Sequence, residues 1–219
     1  MSCFQIPMDI CHQLDTLIAN FWWGQKGEER KIHWLQWRKL CKPKEKGGLG
    51  FREISVFNKA MLAKQGWRLL QDDGSLLTQT LKAKYYPNGN FLTASIGYKP
   101  SFTWRSIVAG REIIQKGTRW LIGNGAKIRI WKDPWLPNFC DFRPVSSYGD
   151  WPDNMTVRDL FCEDQQTRNE EIITRIFTPE EANEILSIPL RNSVCEDRIS
   201  WHYTAFGQYS VKSGYKLAP

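Results

Sequence analysis

The chain has 219 residues, 42% of them hydrophobic and 24% charged, with a net charge of +7. That is enough for one or two domains with cores of their own, and it argues against wholesale disorder. No apolar run reaches the roughly 20 residues of a membrane helix, and the opening MSCFQIPMDICHQLD lacks the basic and apolar segments of a secretory signal.

Pro7 followed by Ile10, Leu14, Leu17, Ile18 and Phe21 gives the spacing of an amphipathic helix that closes at Gly24. A charged loop from Gln25 to Lys31 follows. Trp34, Trp37 and Cys41 share a face on a short second helix, which must stop before Pro43. Lys42 to Gly50 reads as a basic turn whose glycines redirect Phe51 into the core. Ile54, Phe57, Met61, Leu62 and Leu69 define a longer helix ending around Asp72-Asp73-Gly74. Leu77, Leu81 and Tyr85 mark another, stopped by Pro87. After a loop from Asn90 to Pro100, Ser101 caps a helix presenting Trp104, Ile107, Val108 and Ile114.

The period then changes. Arg119 to Ile122, the tripeptide Gly123-Asn124-Gly125 and the alternating run Lys127 to Trp131 predict a β-hairpin around Asn-Gly. Trp131 to Asp153, rich in Pro, Asp and aromatics, reads as an ordered but irregular connector. Short helices are expected near 157–162, 169–177 and 179–187, the last with Thr178 as cap, Pro179 in the first turn and Glu181 closing a capping box. A second hairpin, Arg198 to Tyr203 with Gln208 to Val211, precedes a helix that starts at Lys212 and is cut off at Pro219. The fold class is α-rich (α+β): a helical bundle, a β-hairpin, an irregular connector, short helices and a second β-hairpin.

Charge divides along the same line. Residues 1–130 hold 21 Lys and Arg against 9 Asp and Glu, whereas residues 131–219 hold 9 against 14. Trp22, Trp23, Trp34, Trp37 and Trp67 are threaded through the basic stretch from Phe21 to Arg68. Cations neutralise phosphates, and flat rings stack on bases or hold a core together, so this pattern suits an anionic polymer. Trp34, Trp37, Trp67, Trp104, Trp120 and Trp131 are assigned to the core, since each removes a large apolar area from water. Trp22 and Trp23 are adjacent and cannot share one helix face.

Catalytic patterns are scarce. Asp72-Asp73 sits at a polar helix end without the flanking apolar strands of a metal-binding carboxylate pair. Glu163-Asp164, Glu170-Glu171 and Glu180-Glu181 fall in amphipathic helices, mostly in first turns. No G-x-S-x-G elbow, P-loop or C-x-x-C is present, and His12, His33 and His202 stand apart. The cysteines at 3, 11, 41, 140, 162 and 195 read as reduced, mostly buried thiols.

The ordered blocks FWWG…KIHWLQWRKLCKPKEKGGLGFR, FNKAMLAKQGWRLL, LLTQTLKAKYYPNG, TWRSIVAGREIIQKGTRWLIGNGAKIRIWKDPWLP and DRISWHYTAFGQYSVKSGYKL cover essentially the whole chain. In this order they resemble the C-terminal part of plant-type non-LTR (LINE-like) retrotransposon reverse transcriptases, which are RNA-directed DNA polymerases. The resemblance implies a thumb-and-connector segment that follows the polymerase palm and leads into the zinc-binding reverse-transcriptase region, with RNase H sometimes beyond. It divides the chain into a basic helical thumb-like region (1–117), a hairpin and connector (118–156), and an acidic short-helix region opening the zinc-binding part (157–219).

The departures bear on activity. The family's metal-binding Asp-Asp belongs to the palm, its Cys/His zinc ligands would fall beyond Tyr215, and the RNase H acids have no match. The Mg and Zn of the parent enzyme would therefore bind outside this chain, no cofactor is expected within it, and it reads as a non-polymerising fragment opened at an internal Met.

Three readings follow. The first is a residual, sequence-independent grip on an RNA or DNA template–primer by Lys39, Lys42, Lys44, Lys46, Arg52, Lys59, Lys64 and Arg68, extended by Lys127 and Arg129. The second is a protein–protein interaction module docking on other parts of a retrotransposon polymerase. The third is a non-functional retroelement remnant. The compartment is left open, intracellular with nuclear favoured over mitochondrial, and no membrane partner is expected.

Overall fold

The structure, a computed structural model, describes residues 2–218 apart from 28, 30, 72–73, 148, 150, 163–166 and 190–194. Met1, the pairs Asp72-Asp73 and Glu163-Asp164, and Pro219 lie outside the described residues. Two units emerge: Met1–Gln115 with Tyr209–Pro219, and Lys116–Gln208. The class is α-rich α+β, with helices throughout and a two-stranded antiparallel sheet.

In the first unit α1 (Met8–Trp22), α2 (Trp37–Cys41), α4 (Leu76–Tyr85), α5 (Phe102–Ala109) and α9 (Val211–Leu217) are arranged around α3 (Ile54–Gln71). α3 receives α1, α4, α5 and α9 on its faces. Its buried positions include Ala60, Ala63 and Gly66, whose small side chains let neighbouring backbones come close. Gly110, ending α5, shows how close: a Cβ there would stand 2.4 Å from the backbone nitrogen of Ala63. Neither backbone can yield cheaply. Gly110→Ala is expected to cost about 1–3 kcal/mol, read as a fall in thermal midpoint, and an unchanged midpoint would disprove the contact.

Polar groups set the orientation of α1. Asp15 Oδ1 accepts from the backbone nitrogen of Ile54 at 3.2 Å, capping α3 from a neighbouring helix. The buried Asn58 accepts from the Ile6 nitrogen at 2.9 Å and donates to the Phe4 carbonyl at 3.0 Å, tying down the strap before α1. α1 therefore buries Cys11, Asp15 and Ala19, an i, i+4, i+8 line. The apolar stripe of an amphipathic helix ordinarily faces a core. Here Ile10, Leu17, Ile18 and Phe21 are exposed instead, Phe21 at 84%.

Burial pushes the Asp15 carboxyl above its ordinary value, with the charge of Glu53 adding to the effect and the Ile54 hydrogen bond opposing it. A raised native value means that the folded chain holds the proton longer than the unfolded one, so this group costs stability as pH rises above the usual carboxylate range. Asp15→Asn keeps an oxygen for Ile54 and removes the charge. It is expected to match or exceed the parent at pH 7 in chemical denaturation, with the difference vanishing in acid. A variant that loses stability at pH 7 would show the charge to be needed.

Ser101 caps α5 by accepting from the Trp104 nitrogen at 3.2 Å, and Tyr85 stacks on the buried Trp104 with ring centroids 4.5 Å apart. Trp67 and Trp104 are core residues, Trp37, Trp120 and Trp131 are half-buried, and Trp34 departs from expectation at 76% exposed. Trp34 lies ahead of α2, where no helix face carries it inward. The cysteines also depart: only Cys11 is buried, Cys41 and Cys162 are partly so, and Cys3, Cys140 and Cys195 are exposed.

In the second unit β1 (Thr118–Leu121) does not turn back on itself. It pairs with β2 (Arg198–Trp201), Thr118 opposite Trp201 and Leu121 opposite Arg198. This corrects the first expected hairpin, and its cause is one carboxylate. Asp197 Oδ1 accepts from the nitrogens of Gly123 (2.7 Å) and Gly125 (2.9 Å), and Oδ2 from that of Lys127 (2.8 Å). The turn around Asn124 survives, but Asp197 takes the donors that a hairpin would use. The following segment leaves to pair elsewhere, with the Ile130 nitrogen on the Met155 carbonyl and the Val157 nitrogen on that of Ile128.

The second expected hairpin is also absent as a strand pair. The Trp201 nitrogen meets the Gly207 carbonyl at 2.8 Å, and α9 follows at once, capped by Ser210, so that only a loop closes on β2. The core gathers Ile128, Ile130, Trp135, Leu136, Leu160, Ile173 and Ile185. Val157–Leu160 is a 3-10 turn, and α7 (Glu170–Ile176) and α8 (Pro179–Ser187) follow. α6 (Arg111–Gly117) precedes β1. Thr178 and Glu181 form the capping box. Glu181 is fully buried and accepts from Ser146 and from the nitrogens of Val145 and Thr178. Burial alone would raise its carboxyl, but these bonds outweigh it and hold the group below its ordinary value. The stability it contributes is present above the usual carboxylate range and is lost in acid.

Candidate nucleic-acid interface

The turn after α2 is closed by its own backbone. The Leu49 nitrogen donates to Leu40 at 2.9 Å, Gly50 to Lys42 at 2.9 Å and Gly48 to Pro43 at 3.1 Å. Gly47 and Gly50 take positive φ, 76° and 74°, which L side chains rarely adopt. Lys42, Lys44 and Lys46 are thus held outward on a defined turn, all exposed. Phe51 leaves it half-buried, stacked on Trp37 at 5.0 Å and meeting Trp22 edge-on at 4.7 Å.

α9 is fastened to the start of α3. The Tyr215 hydroxyl accepts from the Glu53 nitrogen at 2.9 Å, and Tyr209, just before α9, donates from its hydroxyl to the Ala60 carbonyl at 2.8 Å. Lys212 and Lys216, four residues apart on one helix face, are exposed. Between them, α2, the turn, the start of α3 and α9 line a groove of about 970 Å³. Its cations are Arg38, Lys42, Lys46, Arg52, Lys212 and Lys216, against the carboxylates of Glu45 and Glu53. Glu53 is engaged by the Ser55 hydroxyl at 3.1 Å. Among the described residues no acidic side chain forms an ion pair with any of these six cations.

Of the residues singled out from the sequence, Lys42, Lys46 and Arg52 come together in the groove. Lys64 and Arg68 fall outside its lining but sit on α3 within about 20° of Phe57, a lining residue, by the 3.6-residue turn, and so prolong its line. Lys59 stands on the opposite side of α3 and is half-buried, while Lys39 and Lys44 are exposed outside the groove. Lys127 and Arg129 belong to the second unit, where each has an acid of its own: Lys127 Nζ meets Glu196 at 2.7 Å and Arg129 Nε meets Asp133 at 3.4 Å. Arg38, Lys212 and Lys216 were not singled out. The i, i+4 spacing of the last two was readable, whereas the return of α9 to α3 was not.

Thiol chemistry does not suit the groove. Burial pushes the Cys41 thiol up to about 11, with the charges of Asp15 and Glu53 adding to it, so it is protonated at neutral pH. Among the described residues no cluster of three His, Cys, Asp or Glu is placed to hold a metal ion. No described helix is long and apolar enough to cross a membrane. What the groove offers is positive charge without an ion-pair partner among the described residues, beside an apolar lining.

The chain is similar to the "Uncharacterized mitochondrial protein AtMg00310" of Arabidopsis thaliana, 40% identical over 147 residues, which are 67% of this chain and 96% of that protein. It is also similar to the "Putative ribonuclease H protein At1g65750" of the same plant, 33% identical over an alignment of 236 residues that takes in 99% of this chain and 36% of that protein. The chain thus spans about a third of the length of the second relative. No family model and no solved structure matches it.

Proposed function

The chain belongs to the same family as the Arabidopsis mitochondrial protein, and from that premise we propose that it is a plant retroelement-derived segment that grips nucleic acid without reading its sequence. The observation that carries this reading is the groove, where six cations from two distant stretches of the chain, 38–52 and 212–216, converge against two carboxylates. Lysines held at fixed spacing neutralise successive phosphates and release their counterions, which needs no base contact.

The reading assigns the chain no polymerase activity of its own, because the palm carboxylates of reverse transcriptases have no counterpart in the sequence. Its ligand is an RNA or DNA template–primer, and its Mg- and Zn-dependent chemistry would be done by other parts of a parent polymerase. A filter-binding titration on a template–primer with a single-stranded overhang tests it. Binding should weaken on charge reversal at Lys42, Lys44 and Lys46 with no change in sequence preference. No affinity even at low salt ends the proposal.

The exposed face of α1 favours a second reading, docking on the rest of a retroelement polymerase. In the longer Arabidopsis relative the matched region is accompanied by further chain, which supplies something for the counterpart of α1 to pack against. Leu17→Lys with Phe21→Lys should leave folding within about 0.5 kcal/mol, as exposed substitutions do. Unchanged nucleic-acid affinity in that variant would separate the two surfaces.

A further inference from the structure

A surface that only counts phosphates needs cations and water, and this groove has more. Phe51, Val56, Phe57 and Met61 contribute to its lining beside the lysines. The Arg52 guanidinium lies over the Phe57 ring, its central carbon 4.7 Å from the centroid. Such a pair offers a flat, weakly hydrated face. Aromatic rings and guanidinium planes are the usual platforms for unpaired bases.

A duplex has no use for that platform. Its bases are already paired and stacked, so it would meet the groove with sugar and phosphate and leave the apolar lining wet. A single strand has free base faces on one side and phosphates on the other. The volume, about 970 Å³, is at the upper end of sites that enclose drug-sized ligands. That is room for a base with its sugar at the platform, the strand's further phosphates running on along the exposed lysines.

We infer that the groove takes an unpaired strand, RNA or DNA, with phosphates on Lys42, Lys46, Lys212 and Lys216 and a base laid against the Arg52–Phe57 pair. The inference rests on the nucleic-acid reading above and narrows it to the strand that has bases to offer. The platform tolerates any base, since every base has a π face.

The experiment is fluorescence anisotropy on the full chain with labelled oligothymidylate, oligouridylate and a blunt duplex of equal length, each titrated at several salt concentrations. Both single strands should bind at least about tenfold more tightly than the duplex at 0.1 M salt. Phe57→Leu should weaken single-strand binding by about tenfold, with its salt slope and the duplex affinity unchanged. Arg52→Lys keeps the charge at an exposed position and loses the planar group, so it should lower single-strand affinity severalfold with the same slope, and it serves if Phe57→Leu does not fold. Duplex binding as tight as single-strand binding, or indifference to both substitutions, overturns the inference and leaves the phosphate grip standing. Binding to none of the three probes overturns the parent reading as well.

Discussion

Replacing Lys42, Lys46, Lys212 and Lys216 with glutamate is expected to lower polynucleotide affinity by about a hundredfold or more at 0.1 M salt. The argument is counterion release. Each phosphate neutralised contributes about 0.7 to 0.9 to the slope of log affinity against log salt, so losing four contacts should flatten that slope by about three. All four side chains are exposed and free of acidic partners among the described residues, so the fold should not suffer. The same reversal at Lys127 and Arg129, whose charges are already met by Glu196 and Asp133, should have a much smaller effect. A quadruple variant that binds as the parent does, with the same slope, would remove the groove from consideration.

The largest expected effect on stability is at Asp197. Its carboxylate is buried and accepts from three backbone nitrogens, those of Gly123, Gly125 and Lys127. Asp197→Ala strands these donors, two of them on buried glycines. Hydrogen bonds to a charged acceptor contribute about 1.5–3 kcal/mol each, and such losses are not additive, so the net cost should be about 3–5 kcal/mol. Asp197→Asn keeps one oxygen for the two glycines but turns an amide towards the Lys127 nitrogen, and should cost about 2 kcal/mol. Thermal unfolding followed by circular dichroism reads both. A loss below about 1 kcal/mol for the alanine variant would mean that β1 and β2 pair without the clamp.

Elements whose signals lie within a few residues were legible in the sequence. Ser101, the Thr178–Glu181 box and the glycine turn after α2 all occur where local chemistry puts them. Contacts over long separations were not. The Asn-Gly turn was correctly a turn, but the strand partner of β1 was decided by a carboxylate more than 70 residues away. α1 was correctly a helix, but its buried face was chosen by the hydrogen bond from Ile54 to Asp15 and by the small residues Cys11 and Ala19. Hydrophobicity alone selects the other face. The groove divides in the same way: Lys42, Lys46 and Arg52 announce themselves in a basic stretch, while Lys212 and Lys216 join them only because the chain returns.

That return has a consequence for how the molecule is made. The second unit is an insertion in the first, whose final helix is α9. On the ribosome, α3 therefore waits with one flank open until the inserted stretch has been synthesised, and the lysines of α9 arrive after the other cations of the groove. A product released before Tyr209 would hold every residue of the second unit and still lack one wall of its own groove. Loss of the segment from Tyr209 to Leu217 would thus take Lys212 and Lys216 from the groove while leaving Arg38, Lys42, Lys46 and Arg52 in the chain.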